Sequence, residues 1–395
     1  MYSRNLVFAA ACLGMLLFGI VFLSLGSVNN MLSARFGLSN NAIGTLAALL
    51  PAGILIGSLV FGPVVDRFGY RWMLVGASLL VGAALEGLAF ANNERLVQLF
   101  FFLIGFGGGI LNGATNALAA DVSEGARGAN LSLLGVFFSI GALTMPMTLM
   151  VLSRHYPLHS IVAGIGALVL VPIAFCLTIA FPPPKQRSED VPNAQAWHFL
   201  RDPFFLFAAL AMAIQSGMEG MSNDWMTRYF KLVTLAGHPS PEWQVQLALV
   251  ALTFGLGLSR LVLAGLLRYL SSRLVLLGSV AAAAAGANVL MQAASYPVSL
   301  VGTFLIGIGL AAGFPVVLGY IGDRYPQQSG TAFSMIFVVA LVGNMSINKS
   351  FGYIAEHHGV QQYTTMLLIL LGCSAVLLVF VLKQLTTISV NRDER

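Results

Sequence analysis

One helical face of the chain concentrates polar side chains inside an otherwise apolar stretch. Gln215, Glu219 and Asn223 follow each other at four-residue spacing, and Ser222 lies beside them. Residues at i and i+4 share a face of an α-helix, so this carboxylate and its neighbouring amides point the same way. A carboxylate in the middle of a long apolar stretch is costly to bury and marks a candidate functional site. Carboxylate and amide groups bind hydroxyls, and the indole of Trp225 offers a flat apolar face, so the pattern suits a polyhydroxylated ligand.

Two interpretations of Glu219 are open. It can exchange a proton, with Asp224 as a second candidate, because a carboxylate removed from water is less stable in its charged form. It can instead be a structural acid that pairs with Arg260, Arg228 or Lys231. For Arg260 itself we favour an arrangement without this ion pair, in which its long side chain snorkels to the cytoplasmic surface.

Polar residues on two further apolar stretches extend this candidate site. Asn112 and Asn116 share one helical face, and Asn344 and Asn348 share another. Phe314 and Trp225 offer aromatic surface to a ligand if their helices face inward, and are otherwise packing residues. The predicted substrate-binding residues are Asn112, Asn116, Gln215, Glu219, Asn223, Trp225, Phe314 and Asn344. The predicted proton carriers are Glu219 and Asp224.

The elements that must position these residues are long apolar stretches. Hydrophobic residues make up 57% of the chain and charged residues only 9%, whereas a soluble domain carries roughly 25% charged residues. Stretches of about 20 apolar residues recur, and a backbone inside lipid must satisfy its hydrogen bonds internally, so we expect membrane-spanning helices rather than a β-barrel. The predicted spans are 6–27, 41–64, 72–92, 97–120, 129–153, 158–181, 203–231, 244–267, 274–294, 297–322, 330–352 and 362–382.

The twelve stretches form two halves of six that repeat at an offset of 202 residues. Arg71 and Asp121 recur as Arg273 and Asp323, and several glycines recur at the same distance. Duplicated helical units are typical of transporters, which hold a binding site between two similar bundles. We therefore predict an all-α membrane protein with 12 transmembrane helices in two pseudo-symmetric six-helix bundles. The predicted domains are an N-terminal bundle at 1–181, a cytoplasmic linker at 182–201 and a C-terminal bundle at 202–395.

Charge and cysteine content exclude several classes of partner. The net charge of +5 comes from basic residues scattered among loops rather than clustered, so no nucleic-acid partner is indicated. Their excess in alternate loops predicts that both termini are cytoplasmic. The first stretch is too long for a signal-peptide core, and the three cysteines fall inside predicted spans. We therefore expect neither a cleaved leader nor a disulfide framework.

A charged motif joins the second and third predicted spans. It reads Gly-Pro-Val-Val-Asp-Arg-Phe-Gly-Tyr-Arg from Gly62 to Arg71. This resembles the G-x-x-x-D-R-x-G-x-R signature of the major facilitator superfamily, in the cytoplasmic loop where that family carries it. Gly62 permits close helix approach, Asp66 can cap a helix N-terminus, and the arginines can pair with carboxylates. The resemblance implies a cytoplasmic gate that latches the two halves, for which the predicted residues are Gly62, Asp66, Arg67, Arg71, Asp121, Arg127 and Asp323.

A second resemblance rests on the fourth, fifth and seventh spans. The glycine-rich run from Gly105, followed by Asn112 and Asn116, resembles the fucose–galactose–glucose:proton symporter family. Gly217-Met218-Glu219 with Trp225 downstream is similar to the seventh helix of bacterial sugar transporters of this superfamily. The resemblance implies a multi-pass protein of the bacterial inner membrane that takes up a monosaccharide together with protons.

The chain departs from that family at two positions. The bacterial fucose permease has acidic residues where this chain has Gly26 and Asn112. Proton coupling through those carboxylates therefore does not carry over, and it must move to Glu219, Asp224 or Glu86 or be absent.

Missing motifs narrow the function further. The chain has no phosphate-binding loop, metal-ligand cluster or nucleophile–base arrangement. We therefore expect no cofactor, no metal and no enzymatic activity, with energy taken from an ion gradient or from the solute itself. The fifth span also lacks the G-P-x-x-G-G signature of the proton-driven drug exporters.

The leading hypothesis is a secondary transporter that acts as a monomer on a small-molecule solute and protons in the lipid bilayer. An exporter or flippase of drugs or amphipathic lipids is one alternative, because 27 Phe and 15 Met residues can line a wide cavity. A facilitative uniporter without ion coupling is another. A membrane sensor is disfavoured because the termini are too short to carry a signalling domain.

Overall fold

Every regular element in the described part of the chain is helical. The computed structural model describes residues 2–122, 127–183, 199, 201–235, 237, 241–266, 270–325 and 329–393. The α-helices are Arg4–Phe22, Ser24–Phe36, Asn40–Ala89, Glu94–Val122, Arg127–Leu152, Leu158–Leu168, Leu170–Thr178, Pro203–Tyr229, Glu242–Leu266, Ser272–Met291, Tyr296–Leu310, Gly313–Arg324, Ser329–His358 and Gln362–Asp393, with a π-helical turn at Phe230–Thr234.

Twelve helical spans in the described residues are long and apolar enough to cross a membrane. This confirms the predicted number and class of elements. The spans are numbered first to twelfth below, in chain order. They are Arg4–Phe36, Asn40–Phe61, Phe68–Ala89, Glu94–Ala119, Leu133–Leu152, Leu158–Thr178, Pro203–Thr234, Glu242–Leu263, Ser272–Met291, Tyr296–Arg324, Ala332–His358 and Gln362–Gln384.

The first span is longer than predicted. It continues to Phe36, whereas the predicted span ends at 27. The reason is that polar side chains near the predicted end are satisfied inside the protein. The hydroxyls of Ser24 and Ser27 donate to backbone carbonyls of their own span, those of Val21 and Leu23, at 2.7 and 2.8 Å. Such bonds let small polar residues remain inside a span.

The second and third spans form one helical run, Asn40–Ala89, that is interrupted at Gly69. Gly69 has a φ of 79°, in the left-handed region that favours glycine. It occupies the glycine position of the charged motif that the sequence singled out. The motif therefore contains its own turn, and a side chain at this position would strain it.

The described structure divides into two compact units. Unit 1 comprises Met1–Glu189 with His238–Val250, and unit 2 comprises Asp190–Gly237 with Ala251–Arg395. The sequence repeat assigns the whole eighth span to the second bundle, but the first two turns of that span pack within unit 1. Gln246, which is fully buried, donates from Nε2 to the carbonyl oxygen of Ser27 at 2.7 Å. The linker residues 184–198 lie outside the described residues, so the predicted bundle boundaries remain predictions.

Corresponding glycines hold corresponding helices at backbone contact within each unit. A Cβ on Gly105 would overlap the carbonyl oxygen of Leu50, and a Cβ on Gly307 would overlap that of Leu252. Both residues of the second pair lie 202 positions after those of the first. Contacts related in the same way are those of Gly53 on Phe102 and Gly255 on Phe304. The internal repeat seen in the sequence is therefore a repeat of packing geometry.

Candidate functional site

The seventh span carries the densest set of buried polar side chains in the described part of unit 2. Its helix begins after Asp202, whose carboxylate caps the N-terminus by accepting from the backbone N–H of Phe204 at 2.9 Å. It then runs without interruption through the glycines of its middle. Buried polar residues of this helix are Gln215, Ser216, Glu219, Ser222, Asn223, Asp224 and Thr227.

Glycines in the seventh span serve close packing rather than helix breaking. A Cβ on Gly217 would overlap the side chain of Ile347, and one on Gly220 would overlap that of Asn344. The eleventh span approaches just as closely from its own side, since Gly343 faces the backbone of Ala213. The sequence left both interpretations open, and here the structure supports packing.

Glu219 forms an ion pair with Arg260 of the eighth span. Nη2 of Arg260 lies 3.2 Å from Oε1 and 3.4 Å from Oε2 of the carboxylate. The Glu219 side chain is 8% exposed and that of Arg260 is 31% exposed. Snorkelling of Arg260 was therefore the wrong expectation, and pairing with Glu219 is observed. The physical reason is that a carboxylate shielded from water requires a compensating charge.

Gln215 reaches the point where the tenth span is interrupted. The span consists of two helices, one ending at Leu310 and the next beginning at Gly313. The amide of Gln215 donates to the carbonyl oxygen of Leu310 at 2.7 Å, which satisfies a group that the helix end leaves without a partner. A Cβ on Gly313 would lie 2.5 Å from this amide, so only glycine leaves room. The break that Gly313 and Pro315 predict is present, whereas the glycine-rich fourth span is a continuous helix.

A chain of hydrogen bonds links the seventh and eleventh spans. Asn344 donates from Nδ2 to the carbonyl oxygen of Ser216 at 3.0 Å, and Asn348 donates to Oδ1 of Asn344 at 2.8 Å. The indole N–H of Trp225 in turn donates to Oδ1 of Asn348 at 3.2 Å. The Trp225 ring is fully buried and packs edge-on against Phe351, with ring centroids 4.8 Å apart. Of the two roles that the sequence left open for Trp225, the structure shows packing.

Other predicted positions occupy different environments. Asn223 and Asp224 are each 4% exposed. Phe314 is half-buried and stacks on Phe337 with ring centroids 6.3 Å apart. In unit 1, Asn116 donates from Nδ2 to both the backbone and the side-chain oxygen of Asn112, at 2.8 and 3.0 Å, and both residues are half-buried.

Two of the predicted gate residues make contacts inside unit 1. Arg71 donates to the carbonyl oxygen of Leu177 near the end of the sixth span. Asp121, at the end of the fourth span, accepts from the hydroxyl of Tyr70 at 2.7 Å. In unit 2, Asp323 is exposed. The side chains of Asp66, Arg67 and Arg127 lie outside the described residues, as do the surroundings of Gly62.

A polar cluster at the start of the seventh span was not predicted from the sequence. Besides capping its helix, Asp202 accepts from the hydroxyl of Tyr325 at 2.5 Å and lies 3.5 Å from Nη2 of Arg324. Burial and the hydrogen bond to Asp202 raise the pKa of Tyr325 above its usual range. The sequence feature that could have indicated this cluster is Asp202, an acid immediately before Pro203, which begins the helix. Among the described residues, no cluster of three or more His, Cys, Asp or Glu side chains is arranged to hold a metal.

Comparisons with known proteins bear on what this arrangement does. A family model described as Major Facilitator Superfamily matches residues 7–239, more than half of the chain. An uncharacterised MFS-type transporter of Yersinia pestis is 22% identical over 354 residues, covering 88% of this chain and 87% of that protein. The 4-hydroxybenzoate transporter of Pseudomonas putida is 29% identical over 176 residues, covering 42% of this chain and 39% of that protein. The crystal structure of a D-xylose–proton symporter superposes with a TM-score of 0.78 at 16% identity, covering 94% of this chain and 97% of that one.

Proposed function

Because this chain belongs to the major facilitator superfamily, whose members are multi-pass membrane transporters and not enzymes, we propose that it takes up a small polyhydroxylated solute by proton-coupled symport. The proposed solute is a monosaccharide, and the proposed mechanism is alternating access. The named relatives carry solutes as different as 4-hydroxybenzoate and D-xylose. The proposed solute class therefore rests on the polar residues of the seventh span, because the solutes of these proteins differ too much to indicate it.

The single observation behind the coupling is the ion pair of Glu219 and Arg260. We propose that the pair alternates between two charge states, with the Glu219 carboxylate ionised and bound to Arg260 or protonated and released from it. Proton uptake removes the charge attraction and frees the guanidinium. Such a pair has the two states that coupling requires, because a ligand or proton that favours one state shifts the equilibrium toward it.

We assign hydroxyl recognition to amide side chains within each unit. Gln215, Asn223 and Asn344 supply donors and acceptors in unit 2, and Asn112 and Asn116 supply them in unit 1. Phe314 is the proposed aromatic surface for the ring C–H groups. Trp225 supports this set indirectly, since its indole N–H fixes Asn348, which in turn contacts Asn344.

The remaining proposals concern the gate and the location. We propose that both termini are cytoplasmic, on the distribution of basic loop residues, and that the protein lies in a bacterial inner membrane, on its resemblance to bacterial sugar symporters. The motif from Gly62 to Arg71, with Asp121, Arg127 and Asp323, is the proposed cytoplasmic gate. Arg71 and Asp121 form hydrogen bonds within unit 1, which supports a second role of these residues in stabilising that unit.

The test is uptake of a panel of labelled hexoses into proteoliposomes, with and without an imposed inward proton gradient. We expect gradient-driven accumulation in the wild type. Glu219→Gln is expected to lose accumulation while retaining counterflow exchange of the same hexose. Glu94→Gln is the matched control, because Glu94 is exposed at the start of the fourth span.

Three outcomes contradict parts of the proposal. Accumulation by Glu219→Gln at the wild-type level would exclude Glu219 as the proton carrier. Equilibration without accumulation in the wild type would indicate a uniporter. Absence of exchange for every hexose would exclude the solute class, and binding of amphipathic drugs or lipids in its place would favour an exporter.

A further inference from the structure

Arg260 points away from the lipid-facing side of the eighth span. The exposed apolar residues of that span lie together on one helical face, and Arg260 lies roughly opposite them at 100° per residue. These residues are Phe254, Leu258, Leu261 and Val262. The guanidinium is therefore directed into protein, toward Glu219 on the seventh span.

Glu219 uses only part of the hydrogen-bonding capacity of Arg260. The contact runs through Nη2 alone, although a guanidinium carries five N–H donors in a planar fork. A fully engaged arginine–carboxylate pair makes two parallel bonds from two nitrogens. Within the described residues Glu219 is the polar partner of Arg260, and the arginine side chain is about four times as exposed as its partner, at 31% against 8%. Part of the fork therefore remains available to a second acceptor.

A neutral sugar does not explain this arrangement. An arginine inside a membrane span is costly, and the neutral hydroxyls of a sugar do not require a charged partner. A planar fork with free donors is instead the preferred partner of a carboxylate. The pair of Glu219 and Arg260 is neutral as a whole, so an added carboxylate brings one unit of negative charge, and one proton taken up by Glu219 restores neutrality.

We propose that Arg260 is a solute-binding residue and that the solute is a sugar acid, a polyhydroxylated compound with one carboxylate. This rests on the proposed function and narrows its solute class. Arg260 binds the carboxylate through the N–H donors that Glu219 leaves free. The amides of the seventh and eleventh spans bind the hydroxyls.

The experiment compares D-galacturonate with D-galactose, which share their ring hydroxyls at the 2, 3 and 4 positions and differ in the carboxylate. Counterflow is measured in proteoliposomes at equal pH on both sides, so that no gradient drives it. We expect galacturonate to compete for exchange at a concentration about tenfold or more below that of galactose, since a hydrogen bond to a charged partner contributes at least such a factor. Galacturonate is also expected to raise the melting temperature of the purified wild type more than galactose does.

Variants separate binding from folding. Arg260→Gln is expected to lose the preference for galacturonate, and Arg260→Lys to retain part of it, because lysine keeps the charge without the fork. Arg95→Gln is the control, since Arg95 is exposed at the start of the fourth span. The thermal measurement on the wild type needs no variant, so it tests the inference even if Arg260→Gln misfolds.

Equal competition and equal thermal protection by the two compounds would overturn the inference and leave the proposed monosaccharide transport intact. A wild-type preference for galacturonate in folded Arg260→Gln would also overturn it. Absence of exchange and of protection with both compounds, together with absence of exchange for every hexose of the panel, would contradict the proposed function itself, and the inference with it.

Discussion

The first and seventh spans occupy equivalent places in the two repeats, yet their buried polar groups are used differently. Those of the first span are uncharged, and the hydroxyls of Ser24 and Ser27 bond to carbonyls of their own span. Those of the seventh span reach other helices, as Gln215 does to the tenth span and Glu219 to the eighth. A duplicated frame has thus kept its packing in both halves, while the first and seventh spans use their buried polar side chains differently.

The substitution with the largest expected effect on stability is Trp225→Ala in the seventh span. It removes a fully buried indole that both fills space beside Phe351 and donates to Asn348. We expect a loss of about 3–5 kcal/mol of stability, as for other large-to-small substitutions of buried aromatics. Thermal unfolding in detergent measures it. Trp225→Phe is expected to cost less, because the ring contact survives and only the hydrogen bond is lost.

The shared packing of the two halves is tested by Gly105→Ala and Gly307→Ala. Each Cβ would overlap a carbonyl oxygen of the facing helix, so we expect similar losses of about 1–3 kcal/mol for the two variants. Gly135→Ala and Gly278→Ala are the controls, since a Cβ at either position meets nothing within 4 Å. A large difference between Gly105→Ala and Gly307→Ala in thermal unfolding would show that the two halves are not packed alike.

Two serines test the difference in polar chemistry directly. The hydroxyl of Ser222 on the seventh span accepts from the buried hydroxyl of Tyr363 at 2.7 Å. Ser222→Ala leaves that tyrosine hydroxyl without this acceptor, which we expect to cost about 1–2 kcal/mol. Ser24→Ala removes only a bond within its own span and is expected to cost less than about 0.5 kcal/mol. Equal melting temperatures for the two variants would remove the contrast between the spans.

The smallest expected effect lies outside the membrane spans, at Tyr325. Because its pKa is raised in the folded protein, Tyr325 favours folding in its neutral form. This contribution is fully present below the usual tyrosine pKa of about 10 and is lost as pH rises through the higher folded value. Asp202→Asn removes the carboxylate charge, so the pKa of Tyr325 should fall toward its usual range. The difference in phenolate absorbance between wild type and variant during alkaline titration measures this shift.

The fold was predictable because lipid leaves few options for a backbone. Length, hydropathy and the repeat of Arg71 and Asp121 as Arg273 and Asp323 indicated twelve helices in two related halves. The end of the first span was less predictable. A polar residue such as Ser27 suggests that a span ends there, and only the structure shows that its hydroxyl donates to the carbonyl oxygen of Leu23.

The candidate site was predictable only on a single helix. Helical periodicity placed Gln215, Glu219 and Asn223 on one face, but it does not show which helix that face meets. Arg260 lies 41 residues from Glu219 on another span, so their pairing depends on tertiary packing. The same holds for Trp225, whose partner Asn348 is 123 residues away.

Backbone contact at Gly105 and Gly307 has a mechanical consequence. Where glycine Cα atoms rest on a neighbouring main chain, no side chain can change rotamer to let the helices slide, so each such pair must travel as one body. Motion during a transport cycle must then occur where the regular α-helix is interrupted. In the described part of unit 2 these are the interruption at Ala311 and Ala312 and the π-helical turn after Tyr229, and labels placed on either side of them should report the displacement that labels across the glycine contacts do not.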